Sequence, residues 1–489
     1  VRIRTACSLV IAAGLLAACA ATDPGVSATR SRQSTGGPLI PSSTNPDDPP
    51  ATTVPLDVEQ GVIDFGSAKP PQPYDAFLVA SFKDIEQFWQ QEFPAVYGSD
   101  FAPLAGGIFA AYPGRPEPIP GCGTAETTFA DVEGNAFYCR LGDFMVYDDS
   151  TLLPGLVDEL GEAAVAVVLA HEFGHAVQFR ADEFGQPVIL KEQQADCFAG
   201  AWAARAARGE SDVVFFNDND VRGGLIAMIK VADPVELGGQ GDEDAHGTGF
   251  DRVGAFQDGF VGGPAACKPF FDDGRNLIDI PFDFEDPNLG NLPFDTPDDN
   301  DIVTLIPADL TRFWTEQMTT AGVTFTPPTV LLYPTEGPFP ACDGVTDDAY
   351  PRNSFWCAST NQIMLDADFG AELAANPLLG DMSVGYLLAQ GFSEAVQSAL
   401  ASDLTGEPRV LFDDCLTGSW VKDIVPPIPT DRVDPLFLSA GDLDEAIVTA
   451  IVRSDETADT NVRGSAFEKI DAFRAGVLGG IGACADRLG

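Results

Sequence analysis

Apolar residues recur at helical spacing through several long stretches of this chain and alternate with polar residues in only a few short ones. In DIEQFWQQEF (84–93), Ile85, Phe88, Trp89 and Phe93 fall on one face of a 3.6-residue helix. The same reading predicts helices over about 82–93, 159–181, 190–208, 218–230 and 248–260. Near 106–112 and 143–147 the alternation of Val, Phe, Met and Tyr with other residues predicts short strands or hairpins. The fold class that follows is a helix-rich α+β domain. Two stretches have no apolar period: 20–58, rich in Ser, Thr, Pro, Gly and Asp, and 271–300, dense in Asp, Pro, Asn and Gly. The first reads as a disordered tether spanning 19–58, the second as an acidic linker.

The pattern is written twice. DIEQFWQQEF (84–93) parallels DLTRFWTEQM (309–318), and Tyr112-Pro113 parallels Tyr333-Pro334. Phe137-Tyr138-Cys139 parallels Phe355-Trp356-Cys357, and LAHEFGHAVQ (169–178) parallels LAQGFSEAVQ (388–397). ADCFAGAW (195–202) parallels DDCLTGSW (413–420), and GTGFDRVGAFQDGFVGGPAAC (247–267) parallels GSAFEKIDAFRAGVLGGIGAC (464–484). Six collinear anchors predict a domain duplicated in tandem, with copies at 59–270 and 301–489.

At 489 residues, 45% of them hydrophobic, the chain has the length and composition for more than one globular core. Its 27 Lys and Arg against 74 Asp and Glu leave a net charge of −47, which repels nucleic acid and anionic lipid headgroups as partners. Arg2 and Arg4 precede an apolar run ending in Leu16-Ala17-Ala18-Cys19. A basic start, a short apolar core and small residues at its exit describe a signal peptide over 1–18. The four-letter ending resembles a bacterial lipobox, which implies lipidation of Cys19, a membrane anchor, and an exported protein held on the outer face of the cell membrane. An ordinary signal peptide with a stray cysteine is the alternative.

Setting aside Cys7 and Cys19 leaves eight cysteines, four in each copy, in a setting where disulfides persist. The short spacings suggest Cys122–Cys139 and Cys342–Cys357, leaving Cys197–Cys267 and Cys415–Cys484 as long staples. Three connectivities per copy remain open.

The candidate chemistry lies in GEAAVAVVLAHEFGHAVQFR (161–180). His171 and His175, at i and i+4, share one helix face, and Glu172 follows the first of them: an HExxH motif, with two metal ligands and a general base. A catalytic zinc needs a third protein ligand and an open position. Glu192 in the next helix is the favoured candidate and Glu183 in the intervening turn the competitor, while Asp196, one turn beyond Glu192, is placed to accept a hydrogen bond from a ligand histidine. In the second copy Gln390, Gly391 and Glu394 stand for His171, Glu172 and His175, and Val410 or a neighbour stands for Glu192, so that copy is expected to lack the metal site.

HEFGHAVQ followed by EQQADCFAGAW resembles the bacterial neutral zinc metallopeptidase family, as do Cys122-Gly123, Phe137-Tyr138-Cys139 and DAHGTGFDRVGAFQDGF (244–260). Gln193 departs from the Leu usual there. The resemblance covers about residues 100–267 and implies a zincin-like fold, one zinc ion per chain held by His171, His175 and Glu192, and Glu172 as base. It also draws attention to His246, a candidate donor to the oxyanion; its counterpart is Arg463, and Arg252, matched by Lys469, reads as structural. The expected activity is hydrolysis of peptide or protein substrates at the cell surface. The rival is a non-catalytic surface binding or scaffold protein with a structural or vestigial zinc site.

Overall fold

The computed structural model describes residues 62–486 apart from 124, 231–247, 273–274, 276, 279–289, 298, 427–435, 440 and 454–464. Cys19, the expected signal peptide and tether, His246 and Arg463 lie outside the described residues.

The first helix, α1 (Asp75–Tyr97), buries Phe77, Leu78, Phe82, Ile85, Phe88, Trp89 and Phe93, and ends where Gly98 turns to φ 80° and donates its N–H to Pro94 O. It starts earlier than its strongest periodic stretch because Phe77 and Leu78 extend the same buried face. Three strands follow in one sheet: β1 (Gly107–Ala111), β4 (Ala136–Cys139) and β5 (Phe144–Asp148), with the pair β2 (Ile119–Pro120) and β3 (Glu126–Thr127) in a hairpin apart from it. The order β1-β5-β4 makes β5 central, parallel to β1 and antiparallel to β4, and leaves β4 as an edge. Strand β4 was not among the strands expected; at four residues it is too short to display alternation.

The helical stretch expected at 159–181 is two helices, α2 (Leu152–Leu160) and α3 (Glu162–Arg180). Gly161 between them has φ 91° and ψ 170°, a conformation that L side chains rarely adopt and that no helix can run through. Helix α3 is buried on nearly all sides, from Ala163 to Ala170 without a break, so it forms the centre of its half rather than a flank. After a turn at Asp182 (φ 59°), α4 (Val188–Ala207) returns along it. Helices α5 (Asp218–Lys230) and α6 (Gly249–Gly262) complete the layer, and α7 (Pro264–Cys267) brings Cys267 back to Cys197.

Glycine sets how closely these helices approach. A Cβ on Gly200 of α4 would lie 2.0 Å from Phe256 O of α6, and one on Gly259 of α6 would lie 1.8 Å from Cys197 O of α4. The two backbones touch at this crossing, and the disulfide Cys197–Cys267 closes a loop across it.

The second half carries a matching set of elements. Helix α8 (Ile302–Thr320) precedes strands β6 (Thr329–Tyr333), β7 (Ser354–Cys357) and β8 (Gln362–Asp366), in the order β6-β8-β7 with the same parallel and antiparallel neighbours. Then come α9 (Ala367–Ala374), α10 (Gly380–Ala399), α11 (Glu407–Ile424), α12 (Asp442–Val452), α13 (Ser465–Gly479) and α14 (Ile481–Asp486). Gly418 and Gly476 make the corresponding crossing of α11 and α13, at 2.1 Å from Phe473 O and 2.0 Å from Cys415 O. Trp202 Nε1 donates to Asp84 at 2.8 Å in one half and Trp420 Nε1 to Asp309 at 2.9 Å in the other. The four disulfides pair Cys122–Cys139, Cys197–Cys267, Cys342–Cys357 and Cys415–Cys484.

The halves share one continuous hydrophobic core. At their junction the rings of Phe260 and Phe467 stack 4.3 Å apart, Gln257 Nε2 donates to Phe467 O at 2.9 Å, and the N–H of Phe250, at the start of α6, donates to Asp444 of α12 at 2.8 Å. Part of the expected linker also packs: Asn291, Leu292 and Phe294 lie against the second half.

Gly200→Ala should lower the thermal unfolding midpoint by the equivalent of about 1–3 kcal/mol or more, since backbone must give way. Gly155→Ala, on the exposed side of α2 with open space around it, should leave stability unchanged or raise it by up to about 1 kcal/mol. Differential scanning fluorimetry of the two variants checks the contrast.

Candidate metal centre

Helix α3 presents His171 and His175 one turn apart, their rings 5.0 Å apart and nearly perpendicular. Helix α4, antiparallel beside it, brings Glu192 to both: Glu192 Oε2 is 3.2 Å from His171 Nε2 and 3.4 Å from His175 Nε2. The close approach of α3 and α4 again depends on a glycine, since a Cβ on Gly174 would lie 3.0 Å from Ala195 Cα.

Each imidazole is fixed from behind. His171 Nδ1 meets Asp196 Oδ1 at 2.7 Å, and His175 Nδ1 meets Gln178 Oε1 at 3.0 Å. Gln178 is itself held, its Nε2 donating to Lys191 O at 2.6 Å. Two acceptors at the Nδ1 atoms keep a proton there and aim the Nε2 atoms at Glu192. Asp196 is fully buried and is gripped by Arg252 of α6, whose two donors reach Oδ2 and Oδ1, each at 2.9 Å. Arg252, expected to be structural, is the third member of a line running from α6 through Asp196 to Nδ1 of His171, the side turned away from Glu192.

The donor set suits zinc. Among the described residues, ligand atoms of His171, His175 and Glu192 lie within 4.8 Å of one another. A tetrahedral zinc with bonds of about 2.0–2.2 Å spaces its ligands about 3.3–3.5 Å apart, close to the two imidazole–carboxylate separations found here. Two imidazoles and one carboxylate leave the fourth position open, the arrangement of catalytic rather than structural zinc.

Glu172 stands beside this triangle. Its Oε2 accepts the N–H of Tyr138 at 3.2 Å, from the free edge of β4. Burial pushes its carboxyl above the usual range, against the pull of His171 and His175. Glu192 behaves oppositely: burial opposes its ionisation, but the two histidines outweigh it and hold the group well below the usual range. For His171, burial disfavours the charge, yet Asp196 and Glu192 prevail and push it up to about 10. The carboxylates of Glu192 and Asp196 thus draw positive charge to the two histidines.

The structure brings together His171, Glu172, His175, Glu192 and Asp196. Glu183 is placed elsewhere, accepting from Tyr97 Oη at 3.0 Å and Gln194 Nε2 at 3.1 Å. At the matching place in the second half, Asp414 of α11 is gripped by Lys469 Nζ at 2.9 and 3.1 Å and accepts hydrogen bonds from Tyr386 and Gln390 of α10. Glu394 stands where His175 does, and burial pushes its carboxyl up to about 7.

Residues 75–270 match the family model described as "Putative neutral zinc metallopeptidase". The uncharacterized protein Rv2575 of Mycobacterium tuberculosis is 31% identical over 176 residues, covering 31% of this chain and 58% of the relative. The uncharacterized protein YpfJ of Escherichia coli is 29% identical over 174 residues, covering 31% of this chain and 57% of the relative. The chain thus spans somewhat more than half the length of these relatives. No solved structure gives a significant match. The matched segment contains the whole His171, His175 and Glu192 triangle with Glu172, Asp196 and Arg252, and none of the second half.

Asp196→Asn should weaken zinc binding about 10–100-fold, measured by competition with a chromophoric chelator, because a neutral amide replaces the charged acceptor that orients His171. It should also cost about 3–5 kcal/mol of stability, since Arg252 stays buried without its counter-charge.

Proposed function

We propose that the chain is a zinc-dependent metallopeptidase whose active site lies wholly in the first half. The observation that carries this is the convergence of two imidazole Nε2 atoms and the Glu192 carboxylate, with Glu172 beside them on the edge of β4. Zinc bound there would act as a Lewis acid, polarising the scissile carbonyl and acidifying water. Glu172 takes a proton from the attacking water and passes it to the leaving amine, a role that its raised affinity for protons suits. The contact between Glu172 and Tyr138 N–H puts the base against the free edge of the sheet. An extended peptide laid along β4 would bring a carbonyl to that point. A peptide or protein substrate is therefore the natural class. His246 is the candidate oxyanion donor.

The matched strand orders, glycine crossings, disulfides and Trp–Asp bonds of the two halves support an origin as tandem copies at 59–270 and 301–489. In the second copy Gln390, Gly391, Glu394 and Val410 occupy the ligand and base positions, and its role in this reading is to brace the first through the shared core. The N-terminal reading places the enzyme outside the cell, tethered by lipid at Cys19 through a tether over 19–58.

Glu172→Gln should retain zinc and lose peptidase activity by about 10²–10⁴-fold against a denatured-protein or peptide library. Parent activity should vanish on chelation and return with zinc. A Glu172→Gln protein that cleaves as fast as the parent contradicts the assignment.

A further inference from the structure

The second half contains a group of side chains that the peptidase reading does not account for. Asp381, near the start of α10, and Asp442 and Glu445, in the first turn of α12, each place a carboxylate oxygen within 4.8 Å of the others. All three residues are buried, at 5%, 6% and 4% exposure, so solvent does not screen them from one another. Among the described residues none of the three forms an ion pair with Lys, Arg or His. Three carboxylates this close cannot all ionise without a positive charge among them. The first half does carry a cation in its own fifth helix, the buried Arg222 of α5.

Most of their oxygens are fixed by donors that lie outside the cluster. Asp381 Oδ2 accepts from Leu292 N at 2.6 Å, and Glu445 accepts from Asn291 Nδ2 and Met382 N, each at 3.0 Å. Asp442 Oδ2 accepts from Ser439 N at 2.6 Å, and its Oδ1 from Ser439 Oγ. Asp381 Oδ1 is the exception: it is buried, no donor from outside the cluster reaches it, and the groups within hydrogen-bonding reach of the Asp381 carboxyl inside the cluster are the carboxyls of Asp442 and Glu445. A buried, ionisable oxygen left without a donor costs free energy unless something else meets it. Asp381 and Asp442 also border a cavity of about 190 Å³, with Ser439 beside them and an otherwise largely apolar lining that includes Trp420, Leu305 and Ile306.

We propose that Asp381, Asp442 and Glu445 hold a divalent cation of the calcium type. The donors are all hard oxygens and supply no imidazole or thiolate, which favours calcium over zinc. Three carboxylates from two helices, with water completing the shell, suit the larger and less rigid coordination of calcium better than magnesium's strict octahedron. Bound there, the ion ties α10, α12 and residues 290–292 together. Helix α12 also carries Asp444, which receives the N–H groups of Gly249 and Phe250 at the start of α6, so the tie extends to the helix that bears Arg252.

The test uses the full chain with its disulfides intact, stripped with a chelator, dialysed into metal-free buffer at constant ionic strength and titrated with calcium chloride. Isothermal titration calorimetry should show one saturable site per chain with a dissociation constant of about 10⁻³ M or tighter, and the thermal midpoint should rise by several degrees. Asp381→Asn and, separately, Glu445→Gln should each weaken binding at least about 10-fold and remove the thermal shift. Each change keeps side-chain shape and relieves repulsion, so both variants should fold. His171→Ala should bind calcium as the parent does, which separates this site from the zinc centre. Absence of saturable binding, or binding that survives unchanged in both acidic variants, overturns the proposal.

Discussion

The structure turns on a buried ion pair between two helices. Asp196 of α4 is gripped by Arg252 of α6 in the first half, and Asp414 of α11 by Lys469 of α13 in the second. Neither carboxylate has any exposure, so each would be strongly destabilising without its cation. In both halves the pair sits on the seam where glycines let the helix backbones touch and where a disulfide joins the same helix to the end of its half. What differs is the use made of the carboxylate's remaining capacity. Asp196 orients His171, whereas Asp414 receives Tyr386 and Gln390. The ion pair recurs in both halves, and the triangle of His171, His175 and Glu192 is built beside it in the first.

That order of dependence explains why the site can be precise. The ligand atoms are carried by α3 and α4, and the second layer of contacts comes from Asp196, Gln178, Lys191 and Arg252, each fixed by its own partner. Ligands placed on helices and held from behind keep their geometry in the absence of the ion. The edge strand β4 supplies the remaining constraint by holding Glu172 at Tyr138 N–H.

The sequence made the chemistry easier to read than the packing. HExxH encodes its own geometry, since four residues in a helix return to the same face, and Glu192 with Asp196 follows the same rule one helix later. Competition between Glu192 and Glu183 could be decided only in three dimensions, where Glu183 turns to Tyr97 and Gln194. The division of 152–180 into two helices depended on one glycine at positive φ, invisible to apolar periodicity. The part of Arg252 was present as a signal, a positive charge found in both halves within an apolar helix, but its partner lay 56 positions away. The acidic group at Asp381, Asp442 and Glu445 had no local signature, because it is assembled from two helices and a stretch that reads as linker.

The account stands or falls on where the zinc sits. The most direct measurement is X-ray diffraction from crystals of the zinc-loaded chain collected on either side of the zinc absorption edge. The expected result is a single anomalous peak per chain, lying between His171 Nε2, His175 Nε2 and a Glu192 carboxylate oxygen, with His171 still on Asp196. A peak held by other residues, or an equal peak beside Gln390 and Glu394, would contradict it.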